Sequence, residues 1–100
     1  MNMAIIVGTV KGEYDLRYTP NGLAIGKFTV EIPYETQDGP QTSEVDVTML
    51  GDRAEEAAEI IEPNKYVIVT GRLNTRTYTT EKGKYRITEL RGTQITSIKT

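Results

Sequence analysis

Cysteine and histidine are both missing from the sequence. Their absence excludes disulfides, zinc sites made from these side chains, and every catalytic triad that relies on either of them. No glycine-rich phosphate loop is present either, so nucleotide chemistry has no cradle. Long apolar runs are lacking too, since no segment approaches the ~20 consecutive apolar residues of a membrane helix. The N-terminal stretch MNMAIIVGTVKG carries no basic leader. A soluble, unprocessed chain is expected, without membrane segment, metal or cofactor. At 100 residues it reads as one domain spanning 1–100. That length is enough to withdraw roughly 65% of the unfolded surface from water.

What remains is carboxylate chemistry or binding. Glu44 and Asp46 stand two apart and so share one strand face, but nothing apolar flanks them there to raise a pKa. Activity as an enzyme is therefore not expected. The formal net charge of −2, taken as an average, argues against a polyanionic partner, which is held through Lys and Arg. The average conceals a division: residues 1–62 hold four basic against twelve acidic side chains, and residues 63–100 hold eight against two. Within one small fold such a division can still be an ordinary mixed surface.

Met3 to Val10 reads as a strand and Tyr18-Thr-Pro-Asn-Gly22 as a turn. From Ala24 to Ile32 the alternation puts Ala24, Gly26, Phe28, Val30 and Ile32 on one side. Pro33 is expected to end regular pairing, leaving YETQDGPQTS as an exposed loop before a third strand from Glu44 to Leu50. GDRAEEAAEIIEPN predicts the one helix. A capping box of Asp52 and Glu55 opens it, Pro63-Asn64 stops it, and Ala54, Ala57, Ala58 and Ile61 face the core; its glutamates read as a solvated face. A fourth strand starts at Tyr66, turns near Glu81-Lys82-Gly83 and returns as Lys84 to Leu90, and a final strand near Thr93 to Ile98 closes the domain. This order predicts an all-β fold. It is a five-stranded Greek-key barrel of the oligonucleotide/oligosaccharide-binding (OB) type, with one short helix between strands 3 and 4 and a long hairpin after strand 4. Barrels of this type bind ligands across strands 2 and 3 and the neighbouring loops.

The stretch GRLNTRTYTTEKGKYR, residues 71–86, holds a single aliphatic side chain yet favours extended structure. Alternation places Arg72, Asn74, Arg76 and Tyr78 on one face and Leu73, Thr75 and Thr77 on the other. Guanidinium, amide and phenol on one strand face suit a nucleic-acid strand. Lys82, Lys84 and Tyr85 at the hairpin tip are further candidates, as is Tyr34. Each has a plainer reading. Tyr78 can cover the hairpin, Arg76 and Arg86 can form cross-strand pairs, Arg72 can serve a subunit contact, and Tyr34 can pack on its own strand. Tyr14, Tyr18, Tyr66 and Phe28 are assigned to packing, and Gly8, Gly26 and Gly71 to bends or close strand approach. The apolar segments MAIIV and YVIVT exceed what one small barrel covers, which predicts a homo-oligomer.

Three segments, DLRYTPNGLAIGKFTV (residues 15–30), TMLGDRAEEAAEII (48–61) and VIVTGRLNTRTYTTEKGKYRITEL (67–90), together resemble the bacterial-type single-stranded DNA-binding proteins. The most specific pieces are the Arg-Tyr-x-Pro-x-Gly turn and the Gly-Arg-Leu-x-Thr-Arg-x-Tyr strand. The resemblance implies an OB barrel, usually a homotetramer with a dimer open, that coats single-stranded DNA during replication, recombination and repair. It implies no catalysis and no cofactor. A bacterial cytoplasm, in association with the nucleoid, is the implied setting, with a plastid open. Carried over by position, it implies basic contacts at Arg17, Arg76 and Arg86 and base stacking on Tyr78. Stacking contributes ~1–3 kcal/mol per base, and arginine adds phosphate and cation–π contacts without demanding a sequence.

The departures from the family pattern are specific. Glu44 and Leu50 stand where aromatics are common, Asp46 and Asp52 where basic residues are common, and Glu62-Pro63 replace a basic pair. Anionic groups in a phosphate path repel it, by an amount that salt reduces. The alternative is therefore an oligomeric barrel with weak or no DNA binding that acts as a protein-interaction module. The acidic C-terminal tail that the resemblance implies does not follow SIKT, so a short form or an excised domain is expected.

Overall fold

The alternating segments become five long strands in the computed structural model, which describes residues 1–99. They are β1 (Ala4–Tyr18), β2 (Ala24–Thr36), β3 (Gly39–Leu50), β4 (Tyr66–Thr80) and β5 (Gly83–Ser97), with α1 (Asp52–Ala57) between β3 and β4. The strands close into a barrel in the order β1-β2-β3-β5-β4. Every neighbouring pair is antiparallel except β3 and β5. This is the expected all-β OB architecture with its helix between the third and fourth strands. Period-2 alternation sends Phe28, Val30, Val47, Met49, Val67, Val69 and Leu90 into one core.

Two hairpins extend beyond the barrel, and both turn on a Thr-x-x-Gly segment. In one, Asp38 N–H bonds to Thr36 Oγ1 and Gly39 opens β3 at φ 110. In the other, Lys82 N–H bonds to Thr80 Oγ1 and Gly83 opens β5 at φ 134. Only glycine takes that backbone conformation freely. The expected loop over residues 34–43 is therefore a hairpin, paired from Ile32↔Ser43 out to Thr36↔Gly39. Pro33 does not stop it, because past Glu31 β2 borders β3 alone, and an edge position tolerates a residue without N–H. Residues 84–97, read as two strands, are one. Thr93 is left unpaired where the β4–β5 register shifts, with Thr70 opposite Gln94 and Gly71 opposite Gly92.

The helix is shorter than expected. Gly51, at φ 66, is its N-cap, and no side chain caps it, so the Asp52–Glu55 box does not form. The regular helix ends at Ala57 and gives way to turns over the next three residues, although Ala58 keeps right-handed helical backbone. The chain must then turn so that Ile61 enters the core and Asn64 N–H reaches Val10 O at 2.8 Å. Ala54, Ala57 and Ile61 are buried as expected, whereas Ala58 is exposed.

A bulge in β1 locks the helix onto the barrel. Gly12, Glu13 and Tyr14 stand opposite Phe28 alone, which bends the strand. Tyr14 packs edge-on against Phe28, with centroids 5.8 Å apart, and its hydroxyl donates to Ala54 O at 2.7 Å. Burial, and then the neighbouring Tyr18, push the phenol up to about 12. Gly26 lies directly beneath that hydroxyl, in space that a Cβ would contest. Tyr14 and Phe28 are thus packing residues as expected, but Tyr18 is 57% exposed.

Gly26→Ala is expected to lower the unfolding free energy by about 1–3 kcal/mol through overpacking, and Tyr14→Phe by about 1 kcal/mol through loss of its hydrogen bond. Because the folded-state pKa of Tyr14 is raised, its contribution is complete below the ordinary value of 10.0 and is lost as pH rises toward about 12. Denaturant titrations of wild type and Tyr14→Phe across that range should therefore converge. Parallel curves would show that Tyr14 is not held as described.

Candidate nucleic-acid interface

The β4–β5 ribbon puts its chemistry on two faces. Register pairs Arg72 with Arg91, Asn74 with Glu89, Arg76 with Ile87 and Tyr78 with Tyr85. Directly opposed residues share a face. One side of the ribbon, its outer face, therefore carries the arginine, amide and tyrosine series expected from alternation. Tyr78 and Tyr85 stack on each other with centroids 5.4 Å apart and planes 26° from parallel. Both stay open to solvent, 45% and 42% exposed, beside a cavity of about 390 Å³ lined by Arg76, Thr77, Tyr78 and Ile87.

Other candidates lie elsewhere. Arg86 pairs with Thr77 and Lys84 with Thr79, which turns both to the opposite face, and Lys82 sits in the turn. Tyr34 belongs to the tip of the β2–β3 hairpin, opposite Gln41, on the side of β2 that carries Val30 and Ile32. Arg17 is paired with Asp15 at 2.9 Å and lines a separate cavity with Ile25 and Lys27.

Between the ribbon and the outer faces of β2 and β3 runs a cleft of about 360 Å³, lined by Lys27, Thr29, Asp46, Thr48, Arg76 and Glu89 among others. Glu89 is 7% exposed. Thr48 Oγ1 donates to Glu89 Oε2 at 2.7 Å, and Asn74 Nδ2 and Arg91 Nη2 donate to Oε1 at 3.3 and 3.5 Å. Arg76 Nε lies 3.9 Å from the same oxygen. Burial pushes the carboxyl up. The hydrogen bonds from Thr48 and Asn74, the Arg76 charge and the Arg91 bond together outweigh it and hold the pKa below the usual carboxylate value.

The acidic departures on β3 are both engaged. Lys11 Nζ meets Glu44 at 2.9 Å, and that bond, followed by the Glu44 charge, raises the amine above its ordinary value. Asp46 accepts from Thr29 Oγ1 at 2.9 Å. Glu44 is thus paired with a cation, whereas Asp46, bonded to a neutral hydroxyl, keeps its charge on the wall of the cleft. Sequence reading passed over Glu89, Arg91, Thr48 and Lys27. One clue was available: Glu89 is one of two carboxylates in the basic segment and stands beside Leu90 in a strand.

Comparison with known proteins finds relatives of nearly the whole described chain. The single-strand binding protein family matches residues 1–98. A single-stranded DNA-binding protein of Bacillus cereus is 34% identical over 87 residues, covering 84% of this chain and 51% of that protein. One from Wolinella succinogenes is 32% identical over 90 residues, covering 85% and 56%. The chain thus spans about half the length of the curated relatives it matches. A crystal structure of a deletion mutant of the single-stranded DNA binding protein from Thermus aquaticus superposes with a TM-score of 0.80. Identity is 26%, over 99% of this chain and 51% of that one.

Since the folded-state pKa of Glu89 is depressed, its contribution to stability is present above the ordinary value of 4.5 and is lost as pH falls through the folded value. Glu89→Gln should cost about 1–3 kcal/mol at neutral pH and flatten the acid limb of the stability curve. Thermal melts from neutral to acidic pH measure both. An unchanged acid limb would mean that the carboxylate is not held as described.

Proposed function

The chain belongs to the single-strand binding protein family, a family of binding proteins rather than enzymes, and from this we propose that it binds single-stranded DNA irrespective of sequence. The observation that carries the proposal is the outer face of the ribbon. A solvent-open tyrosine pair stands beside Arg76, and that arginine borders both the ribbon cavity and the cleft leading across β2 and β3. Bases stack on Tyr78 and Tyr85, and Arg72 and Arg76 contact phosphates. Lys82, Lys84 and Arg86 serve a strand that wraps around the ribbon tip, while Arg17 and Tyr34 are outlying contacts. The whole functions as a single domain. Replication, recombination and repair in a bacterial cytoplasm, at the nucleoid, are the setting in which exposed single strands call for such a coat. Among the described residues no helix is long and apolar enough to cross a membrane.

A second observation favours self-assembly. Met3, Ile5 and Val7 are 65%, 61% and 44% exposed, and Val7 stands opposite Ile68 on β4. Ala4 to Gly8 pair with β4 alone, because the β1–β2 register begins at Thr9↔Glu31, so this stretch offers a second copy both an apolar face and an open strand edge. The result would be a dimer or tetramer.

Fluorescence anisotropy of a labelled long thymidine oligomer, beside a duplex of equal length, tests the binding. Tight, salt-sensitive binding of the single strand alone is expected. Tyr78→Ala should lower affinity by about 1–3 kcal/mol with little change in salt slope, whereas Arg76→Ala should lower both. No binding at low salt would favour the protein-interaction module instead. Sedimentation of Ile5→Glu should show a smaller species than wild type; equal mass would remove Ile5 from the interface.

A further inference from the structure

Where β4 and β5 leave the barrel, Arg72 and Arg91 stand directly opposite each other on the outer face of the ribbon. Like charges so placed repel, and the strand pair by itself gains nothing from them. Arg53, from the first turn of α1, joins them around a cavity of about 230 Å³ whose other lining residues are Leu50, Gly92 and Thr93. Among the described residues no carboxylate lines this cavity. The nearby acid, Glu89, meets Arg91 only through Nη2 at 3.5 Å and is shared with Thr48, Asn74 and Arg76. The Arg91 side chain is 24% exposed, and its Nε is buried with no hydrogen-bond partner among the described residues. A buried donor without an acceptor is costly, and more so on a charged group. The site therefore has three guanidiniums, an unused donor and no counter-charge of its own.

We propose that the Arg53–Arg72–Arg91 cavity binds a phosphate diester of the single strand. The planar donor forks of guanidinium suit the oxygens of phosphate, and several together neutralise its charge. The proposal rests on the reading of the ribbon as a strand-tracking surface and extends that surface to its root. Arg72 shares the outer face with Arg76 and Tyr78 and lies six residues from Tyr78, a separation of roughly 20 Å along a strand. A strand stacked on the tyrosine pair reaches the cavity within a few nucleotides. Glu89 has a positioning role, holding Nη2 of Arg91 from one side so that Nε is left for the ligand.

The test has two arms. In the first, the affinity of a long thymidine oligomer is measured across a salt series for wild type, Arg53→Ala and Arg53→Ala/Arg72→Ala. Arg53 is exposed and alanine propagates a helix well, so the first variant is expected to fold. The log–log salt slope should shrink by about 0.7 for each phosphate that is no longer neutralised. In the second arm, arginine Nε–H resonances are followed as the oligomer, or inorganic phosphate alone, is added. The Arg91 signal should shift in wild type and respond less in Arg53→Ala. Oligomer binding with an unchanged slope and an unmoved Arg91 signal would overturn the cavity assignment and leave the ribbon reading standing. No oligomer binding by wild type would overturn both, whether or not phosphate alone moves Arg91.

Discussion

The barrel closes along its shortest seam. β3 and β5 run parallel and share only two register pairs, Val47↔Leu90 and Thr48↔Arg91. A side-chain bond reinforces that seam: Thr48 donates to the buried carboxylate of Glu89 at 2.7 Å. The same carboxylate faces Arg76, Asn74 and Arg91. One group thus ties β3 to β5 and orients the basic side chains that emerge from β4 and β5. Burial raises its pKa, and the donors around it outweigh that effect and favour the ionised form.

The charge division of the sequence acquires a shape. Five of the eight basic residues beyond position 62, Arg72, Arg76, Lys84, Arg86 and Arg91, extend along the ribbon strands, with Lys82 in its turn. Much of the acidic excess sits on the helix segment and the β2–β3 hairpin, where Glu44 is paired with Lys11 and Asp46 accepts from the Thr29 hydroxyl. A net charge of −2 therefore coexists with a locally basic surface, because electrostatic attraction to a strand is set by the charges within a screening length.

Much of the fold was legible in particular residues. Alternation over Ala24–Ile32 named the core face of β2, and the Thr80–Gly83 segment named a turn. The equivalent Thr36–Gly39 turn was missed because Pro33 and Pro40 flank it, and proline in a strand is harmless only where an edge is available. Whether β2 has an edge there depends on where β1 stops, which is not local information. The helix was overextended for a related reason: alanine and glutamate favour its continuation, but tertiary packing of Ile61 overrides that propensity. Of the candidate site, Arg72, Arg76, Tyr78 and Tyr85 do share a face, while Arg86 and Lys84 face the other way.

By itself, the sequence determined the strand periods, the turn chemistry, the lack of thiol and imidazole chemistry, and one hydroxylated, basic and aromatic ribbon. These follow from side-chain type and spacing alone. The tertiary structure decided which face each residue of β5 presents. Thr93 stands unpaired at the register shift, so the inward positions change phase between Ile95 and Gly92. Without that extra residue, alternation from Ile95 would have sent Arg91 and Glu89 into the barrel. With it, both face outward, where Glu89 meets Thr48 from β3 and Asn74 and Arg76 from β4 as well as Arg91, residues brought together by barrel closure and not by their order in the chain.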